Sequence, residues 1–475
     1  MLKRLFIIAL SLLLTFSTRT ASAQTPTPPQ PSPAGPLYIV QNGDTLWDIA
    51  ALFNTGINDI IFANGLPNAD IYIGDRLVIP GLEGLSGTLI TKIVPFGETL
   101  RSLSRQYRVD ETLLKKLNHI LSPTELYAGA KLIILQQDDQ PAWPARSSLK
   151  RGETLLELAV RQSTDAWTLA EINRLPGTWA GLPDDVLYLP SGSSDAKPSG
   201  LPAAFSSVVV TPLPLVQGIT VHILTTTTEP VTLGGMLVDR PLNFFQMNGS
   251  AWVALQGVHA MLEPGIYPLR LEATLADGSS QSFEQNVLVI SGYYPKDPVL
   301  HVEPRTIDPA ITESENAQIS SITATVTSQR HWQGVFKSPA SLYANQTYFT
   351  AKFGNRRTYI GIGTNEEIYG FHTGVDYHGG TGLPITAPAP GVVVFAGPLE
   401  VRGYATLIDH GWGVFSGFWH QFEILVQAGQ KVETGDIIGK VGGTGRVTGP
   451  HLHWEIWVNG IQVDPQGWLE EQFPR

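Results

Sequence analysis

The stretch His451-Leu452-His453-Trp454-Glu455-Ile456 organises the reading of this chain. Alternate side chains of an extended strand point to opposite faces. His451, His453 and Glu455 therefore share one face, and Leu452, Trp454 and Ile456 the other. Two imidazoles then sit on one surface over an apolar backing. Upstream, His372-Thr373-Gly374-Val375-Asp376 sets a histidine and an aspartate four residues apart, which on a strand is again one face. His372, Asp376 and His453 offer two ring nitrogens and a carboxylate, a donor set suited to tetrahedral zinc. Three protein ligands leave a position open for water, as catalytic rather than structural sites do, and zinc lowers the pKa of that water to about 7. His451, and His420 in Gly417-Phe418-Trp419-His420, are left over for a general base and a donor to a developing oxyanion. There is no H-E-x-x-H helix, which excludes a zincin. Neither H-x-H nor H-x-x-x-D decides anything alone, and a lone histidine is more often structural. His378 and His410 are read that way.

What decides is the order of the surrounding motifs. Six of the eleven histidines fall between 372 and 453, and residues 337–475 hold 23 of the 47 glycines, as in a Gly-rich β fold. Gly370-Phe371-His372-Thr373-Gly374-Val375-Asp376 is followed by Ala387-Pro388-Ala389-Pro390-Gly391-Val392-Val393 and by Ile408-Asp409-His410-Gly411. His420 comes next, then Val432-Glu433-Thr434-Gly435-Asp436-Ile437-Ile438-Gly439. Gly442 to Pro450 leads into His451, and Val463-Asp464-Pro465 closes the series. Over about 337–470 this order resembles the lysostaphin/LytM-type zinc endopeptidases. The resemblance implies an antiparallel β-sheet groove, zinc on His372, Asp376 and His453, catalytic histidines at His420 and His451, and hydrolysis of peptide bonds in the peptidoglycan stem or cross-bridge. One departure is Trp419-His420-Gln421, where relatives often carry Ala-His-Leu.

The N-terminal half is repetitive. NGDTLWDIA begins at Asn42, FGETLRSLS at Phe96 and RGETLLELA at Arg151. Their glycines, Gly43, Gly97 and Gly152, are 54 and 55 residues apart, and an asparagine follows each after 21 residues (Asn64, Asn118, Asn173). That shared register indicates internal duplication. Thr45 with Asp48, and Thr154 with Glu157, have capping-box spacing. Leu46, Ile49, Ala50 and Phe53 form one apolar helical face. Apolar strands at 37–40 and 76–80 bracket the first unit, predicting strand–helix–helix–strand. Y-x-V-x-x-G-D-T-L-W-x-I-A at 38–50 and I-G-D-R-L-V-I-P at 73–80 resemble the LysM module. In the second repeat Gly129-Ala130-Lys131-Leu132 closes the motif; in the third the closing G-x-x-L signature is lost around Gly181. The resemblance implies binding of N-acetylglucosamine-containing glycans, with Gly43, Asp44 and Thr45 facing Asn68 to Ile71 across a groove. Capping by itself also explains Asp44 and Thr45.

The remaining sequence sets the compartment and the connections. Lys3 and Arg4, the apolar run Leu5 to Leu14 and Ala21-Ser22-Ala23 read as a secretory signal, too short to span a bilayer. A proline-rich spacer covers 24–36. The 475 residues carry a formal charge of −11, which argues against a nucleic-acid partner. No cysteine is present, which removes disulfides, a thiol nucleophile and thiolate zinc sites. Tyr267 to Leu275 alternates with period two, Ala276 to Ser279 is a turn, and Phe283 to Ile290 returns, predicting a hairpin in an immunoglobulin-like β-sandwich. The expected organisation is a signal peptide (1–23), linker (24–36), LysM modules (37–81, 88–136, and a degenerate 147–191), a β domain (200–292), a connecting segment (293–336) with a helix in 309–328, and the peptidase domain (337–475). The expected product is a secreted, wall-associated zinc peptidase without a transmembrane anchor, held on peptidoglycan by several modules at once. A non-catalytic scaffold or hydrolase activator is the alternative, disfavoured by the intact five-residue set. A serine hydrolase at Ser416 lacks the G-x-S-x-G elbow. The insert Thr358 to Tyr369 is placed to cover the groove.

Overall fold

The computed structural model describes residues 35–122, 125–137, 145–150, 152–183, 185–191, 201–345 and 347–474. The signal peptide and nearly all of the proline-rich linker lie outside them. The chain divides into two compact units, Met1–Thr88 and Leu89–Arg475.

The first unit is one strand–helix–helix–strand module: β1 (Leu37–Ile39), α1 (Leu46–Leu52), α2 (Ile57–Asn64) and β2 (Arg76–Val78). Thr45 and Asp48 form the reciprocal capping box expected of them. Strands β1 and β2 pair antiparallel, and Tyr38, Leu46, Ile49, Ile60 and Leu77 are buried between them and the helices.

The second unit opens with two more modules of this plan. One is β3 (Thr88–Ile93), α3 (Leu100–Tyr107), α4 (Glu111–Leu117) and β4 (Lys131–Gln136); the other is β5 (Ala145–Ser148), α5 (Leu155–Arg161), α6 (Ala166–Ile172) and β6 (Val186–Leu189). Strand β5 begins at Ala145, ahead of the expected boundary at 147. In all three modules the asparagine 21 residues after the glycine does the same work. Asn173, for instance, donates to the Leu169 and Tyr188 carbonyls and accepts from the Tyr188 N–H, tying α6 to β6. Asn64 and Asn118 make the equivalent bonds to Val78 and Ile133.

Two sheets, antiparallel except at β8, follow, built from β7 (Phe205–Thr211), β8 (Leu215–Val216), β9 (Thr220–Thr227), β10 (Val231–Leu237), β11 (Arg240–Pro241), β12 (Phe244–Asn248), β13 (Ala251–Gly257), β14 (Gly265–Leu275) and β15 (Ser280–Ile290). The sheet orders are β12-β13-β9-β7 and β11-β10-β14-β15-β8, with β8 parallel to β15. β14 and β15 form the hairpin read from the sequence. Buried Val208, Ile223 and Ala254 of one sheet meet Leu269, Leu271 and Val287 of the other in a common core.

The C-terminal part holds β16 (Leu300–Val302), α7 (Pro309–Thr323), β17 (Phe349–Ala351), β18 (Arg356–Gly361), β19 (Glu367–Phe371), β20 (Val375–His378), β21 (Pro384–Thr386), β22 (Gly391–Leu399), β23 (Gly403–Gly411), β24 (Val414–Ile424), β25 (Lys431–Val432), β26 (Ile437–Val441), β27 (His451–Val458), β28 (Ile461–Val463) and α8 (Pro465–Glu470). The main sheet runs β17-β20-β27-β24-β23-β22-β25, with β28 beside β27 and β26 joining β21 to β24. A smaller sheet, β16-β18-β19, lies apart from it.

The segment 293–336 is more than a connector. Its β16 pairs with β18, and its helix ends at Thr323, short of the 328 expected. Trp332 and Phe336 are buried in the same core as Tyr377, Leu452, Trp454 and Ile456, and the Trp332 Nε1–H donates to the Phe473 carbonyl at 2.8 Å. Val253, Leu255 and Ala260 of the middle domain belong to that core as well. The packed body therefore begins well before residue 337.

Candidate active site

Strand β27 is where the chemistry assembles. β20 lies on one side with Asp376 opposite His453, and β24 on the other with Trp419 opposite His453. Leu452, Trp454 and Ile456 are fully buried behind, as the alternation requires. His372 differs from expectation: it sits in the link between β19 and β20, not on a strand shared with Asp376. That link can pass close to β27 because residue 374 is glycine. A Cβ there would lie 2.2 Å from the Trp454 carbonyl oxygen and 2.9 Å from His453 Nε2.

Three donor atoms converge. Asp376 Oδ1 is 3.0 Å from His372 Nε2 and 2.7 Å from His453 Nδ1, and the two ring nitrogens are 3.1 Å apart. This His–Asp–His group has the donors and spacing to hold a metal ion, with ligand atoms all within 4.8 Å of one another. The outer partners fix each ring's tautomer. The His372 Nδ1–H donates to the Lys352 carbonyl at 2.8 Å, and the His453 Nε2–H to Glu455 Oε1 at 3.2 Å, so the inward His372 Nε2 and His453 Nδ1 are the atoms that would bind a metal. Glu455 is itself held by the Thr373 hydroxyl, by Trp457 Nε1 at 2.9 Å and by Gln462 Nε2 at 3.3 Å.

The two remaining histidines are held the same way. The His420 Nδ1–H donates to the Thr444 carbonyl and the His451 Nδ1–H to the Gly449 carbonyl, each at 2.8 Å. Their rings lie 5.2 Å apart, His420 is 5.9 Å from the His453 ring, and His451 Nε2 is 3.5 Å from Asp376 Oδ1. His420 has a left-handed backbone (φ 62°), a conformation that costs a non-glycine residue energy and recurs at functional positions. Its N–H donates to the Arg402 carbonyl at 2.8 Å. The flanking residues that depart from the usual pattern brace it. The Arg402 guanidinium covers Trp419 at 5.4 Å, and Gln421 Nε2 donates to Thr406 Oγ1 at 2.8 Å and to the Phe418 carbonyl.

Electrostatics follow from burial and pairing. Burial keeps His420 well below the ordinary histidine range, helped by the nearby His451 and His453. Burial likewise lowers His372, against the pull of Asp376. Burial opposes ionisation of Asp376, but His372 and His453 hold its carboxyl well below the usual carboxylate range. Glu455 is also buried, yet its bond to His453 brings it down to about 2. Three further ion pairs escape a sequence reading. Arg357 on β18 binds Asp376 Oδ2 at 3.4 Å and Asp297 at 3.1 Å. Glu315 on α7 accepts the backbone N–H groups of Val401 and Arg402 and pairs with the Arg402 guanidinium at 2.8 Å.

All five histidine and aspartate candidates line one cavity of about 1110 Å³. The insert Thr358 to Tyr369 is a β18–β19 hairpin, and its Tyr359, Ile368 and Tyr369 line the cavity as a side wall. His410 is a structural histidine: Nδ1 bonds the Pro390 carbonyl and Nε2 the Ser416 hydroxyl, which also disposes of Ser416 as a nucleophile partnered with His420. His378 is exposed at the end of β20. The glycan-binding candidates lie in the first unit. Gly43, Asp44 and Thr45 form the turn before α1, where the Asp44 carboxylate accepts from the Tyr38 hydroxyl at 2.7 Å and Thr45 caps the helix. Asn68 and Ile71 lie on the surface segment between α2 and β2, with Asn68 bonded to Asp70.

Comparison with known proteins finds relatives of two parts of the chain. Residues 370–465 match peptidase family M23, and residues 38–80 and 93–135 match the LysM domain. The chain carries an M23 peptidase domain and two LysM domains. DD-carboxypeptidase/endopeptidase Mpg of Neisseria meningitidis serogroup B is 45% identical over 94 residues, 20% of this chain and 22% of that protein. Peptidoglycan DD-endopeptidase ShyC of Vibrio cholerae serotype O1 is 42% identical over 95 residues, with the same shares. The chain thus spans 22% of the length of these curated relatives. Among solved structures, the catalytic domain of lysostaphin from Staphylococcus simulans is 31% identical, covering 22% of this chain and 81% of that one with a TM-score of 0.21. The M23 match begins at residue 370, so Asp297, Glu315 and Arg357 all lie upstream of it. No helix among the described residues is long and apolar enough to cross a membrane.

Proposed function

We propose that this protein is a secreted zinc endopeptidase that hydrolyses peptide cross-links of bacterial peptidoglycan and is tethered to the wall by its LysM modules. One observation carries the reading: three ligand atoms converge within 4.8 Å, and two further imidazoles, each oriented by a backbone carbonyl, flank them in one cavity. His372, Asp376 and His453 would hold the zinc, a choice supported by the two-nitrogen, one-oxygen donor set and by the outer bonds that orient each imidazole with one nitrogen inward. When bound, zinc supplies Lewis acidity toward the scissile carbonyl and makes water available as a nucleophile near neutral pH.

The protein's own groups do the rest. His451, its Nδ1–H committed to Gly449, takes the proton of the attacking water on Nε2. His420 stabilises the oxyanion of the tetrahedral intermediate, a role that requires a second proton, on Nε2, beside the Nδ1–H held by Thr444. Arg357 holds the outer oxygen of Asp376, which keeps Oδ1 turned inward. A second reading exchanges the two histidines. Buried His420 is kept neutral with Nδ1–H on Thr444, which suits a base, whereas the more accessible His451 takes the place of the donor. Glutamine separates the two readings, since it can donate an N–H but cannot accept the proton. The base histidine loses about 10²- to 10⁴-fold in kcat as Gln, and the donor histidine much less.

Gly43, Asp44, Thr45, Asn68 and Ile71 are the proposed glycan contacts, and the third module is proposed to be a LysM relative. The immunoglobulin-like reading of the middle domain rests on its two facing sheets. The functional proposal is tested by incubating purified sacculi with metal-stripped protein, with zinc-restored protein and with a His453→Ala variant. Peptide release only from the restored wild type is expected. Equal release by the stripped protein would overturn the zinc assignment.

A further inference from the structure

Among the described residues four arginines line the cavity, and three of them face carboxylates. Arg240 is 3.7 Å from Asp239, Arg357 is 3.1 Å from Asp297 and 3.4 Å from Asp376, and Arg402 is 2.8 Å from Glu315. Arg446 is different. Among the described residues no carboxylate lies within 4.0 Å of its guanidinium. That group stacks over the Tyr359 ring at 4.3 Å and makes one long bond, 3.4 Å, to the Thr306 carbonyl. A guanidinium has five N–H donors, so most of its capacity is unused. Burial pushes the Arg446 guanidinium down from its ordinary value, as does the nearby Arg402, which is the mark of a charge taken partly out of water without full compensation.

Its position is fixed by the loop that also holds a catalytic candidate. Arg446 N–H donates to the Val401 carbonyl at 2.8 Å. Gly445 fits only because it lacks a side chain: φ is 78°, and a Cβ would lie 2.5 Å from Gly403 N and from the Val401 carbonyl. Two residues before Arg446, the Thr444 carbonyl receives His420 Nδ1–H, and five residues after it comes His451. Arg446 thus lines the cavity with a ring against its guanidinium, a pinned backbone and most of its donors unused, and a guanidinium fork recognises a carboxylate through two parallel bonds.

We propose that Arg446 is a substrate-binding residue that anchors a free carboxylate of the peptide beside the scissile bond, so that the enzyme selects acidic over amidated peptide. This rests on the endopeptidase reading for the identity of the ligand, and the test separates the two. The probe is a cross-linked peptide dimer prepared from purified peptidoglycan, used in its free-acid form and with its carboxyls converted to primary amides. Binding of both forms is measured by titration calorimetry to the zinc-loaded full chain carrying His451→Ala, which blocks turnover, with Arg446 intact or replaced. With Arg446 present the acid form binds roughly 10- to 100-fold more tightly than the amide. Arg446→Gln makes the two affinities equal, and Arg446→Lys, which keeps the charge but loses the fork, falls between. Equal affinities with Arg446 intact, or a preference that survives Arg446→Gln, overturn the anchor. Cleavage of the acid form by the wild type reads the other claim: no cleavage alongside a preserved acid preference would sink the endopeptidase reading and leave the anchor standing.

Discussion

His372, His420, His451 and His453 each have one nitrogen tied down, and the tie decides what the other can do. Lys352, Thr444 and Gly449 supply carbonyls, and Glu455 supplies a carboxylate. Glu455→Gln keeps the shape but removes the charge that favours the His453 tautomer. Zinc affinity, read by competition with a fluorescent chelator, should fall roughly 10- to 100-fold. Unchanged affinity would mean that His453 is oriented without Glu455. His410 gives a pH prediction away from the reacting groups. Burial pushes its imidazole down to about 4 from 6.5. The folded state therefore binds this proton less readily than the unfolded state. The related stability is fully present above pH 6.5 and is lost as pH falls toward 4, about 3 kcal/mol in all. Denaturant unfolding across that range should show this slope in the wild type and a shallower one in His410→Gln. Equal slopes would contradict the assignment.

At the scale of elements, the repeats show what a sequence pattern can and cannot say. Thr45 and Thr154 were legible as helix caps because a capping box is a local device, complete within four residues. The 21-residue asparagine was legible as a register mark but not as a bond, since its partners at Val78, Ile133 and Tyr188 lie 14 or 15 residues further on. Asn173→Ala strands the Tyr188 N–H in a buried site. It should cost about 1–3 kcal/mol, visible as faster amide exchange in β6. The same limit hid α7's contribution. Glu315 reaches across 86 residues to Val401 and 87 to Arg402, and through the Arg402 carbonyl to His420. Glu315→Ala should lower kcat at least about tenfold with KM and zinc content unchanged, since what is lost is the placement of His420 and not a ligand. The strand His451 to Ile456 was readable because period two states its two faces outright. His372 was misplaced because spacing alone cannot tell a strand from the turn that Gly374 permits.

Across the whole molecule, the boundary expected at 337 falls within a continuous core. Motif order located the peptidase correctly, but packing continues upstream through Phe336, Trp332 and α7, residues that carry no chemical motif. A fragment starting at 337 loses the Trp332 contacts with Trp412 and Trp468 and exposes the face that α7 covers. Its melting temperature should lie well below that of a fragment starting at 293; equal values would show that the upstream segment adds nothing to the core. Middle domain and peptidase are also joined, for instance by Asn459 to Gln256 at 2.6 Å and Trp468 to Thr220 at 3.0 Å, so the peptidase rests on a fixed base.

The central claim is that this cavity cuts peptide bonds of peptidoglycan. The most direct measurement is mass spectrometry of the fragments that the zinc-loaded full chain releases from purified peptidoglycan, beside a His451→Ala control. The account predicts products ending at a hydrolysed peptide bond, absent from the control, which would also name the bond. Intact cross-links after incubation, with the protein still bound to the sacculi, would contradict it.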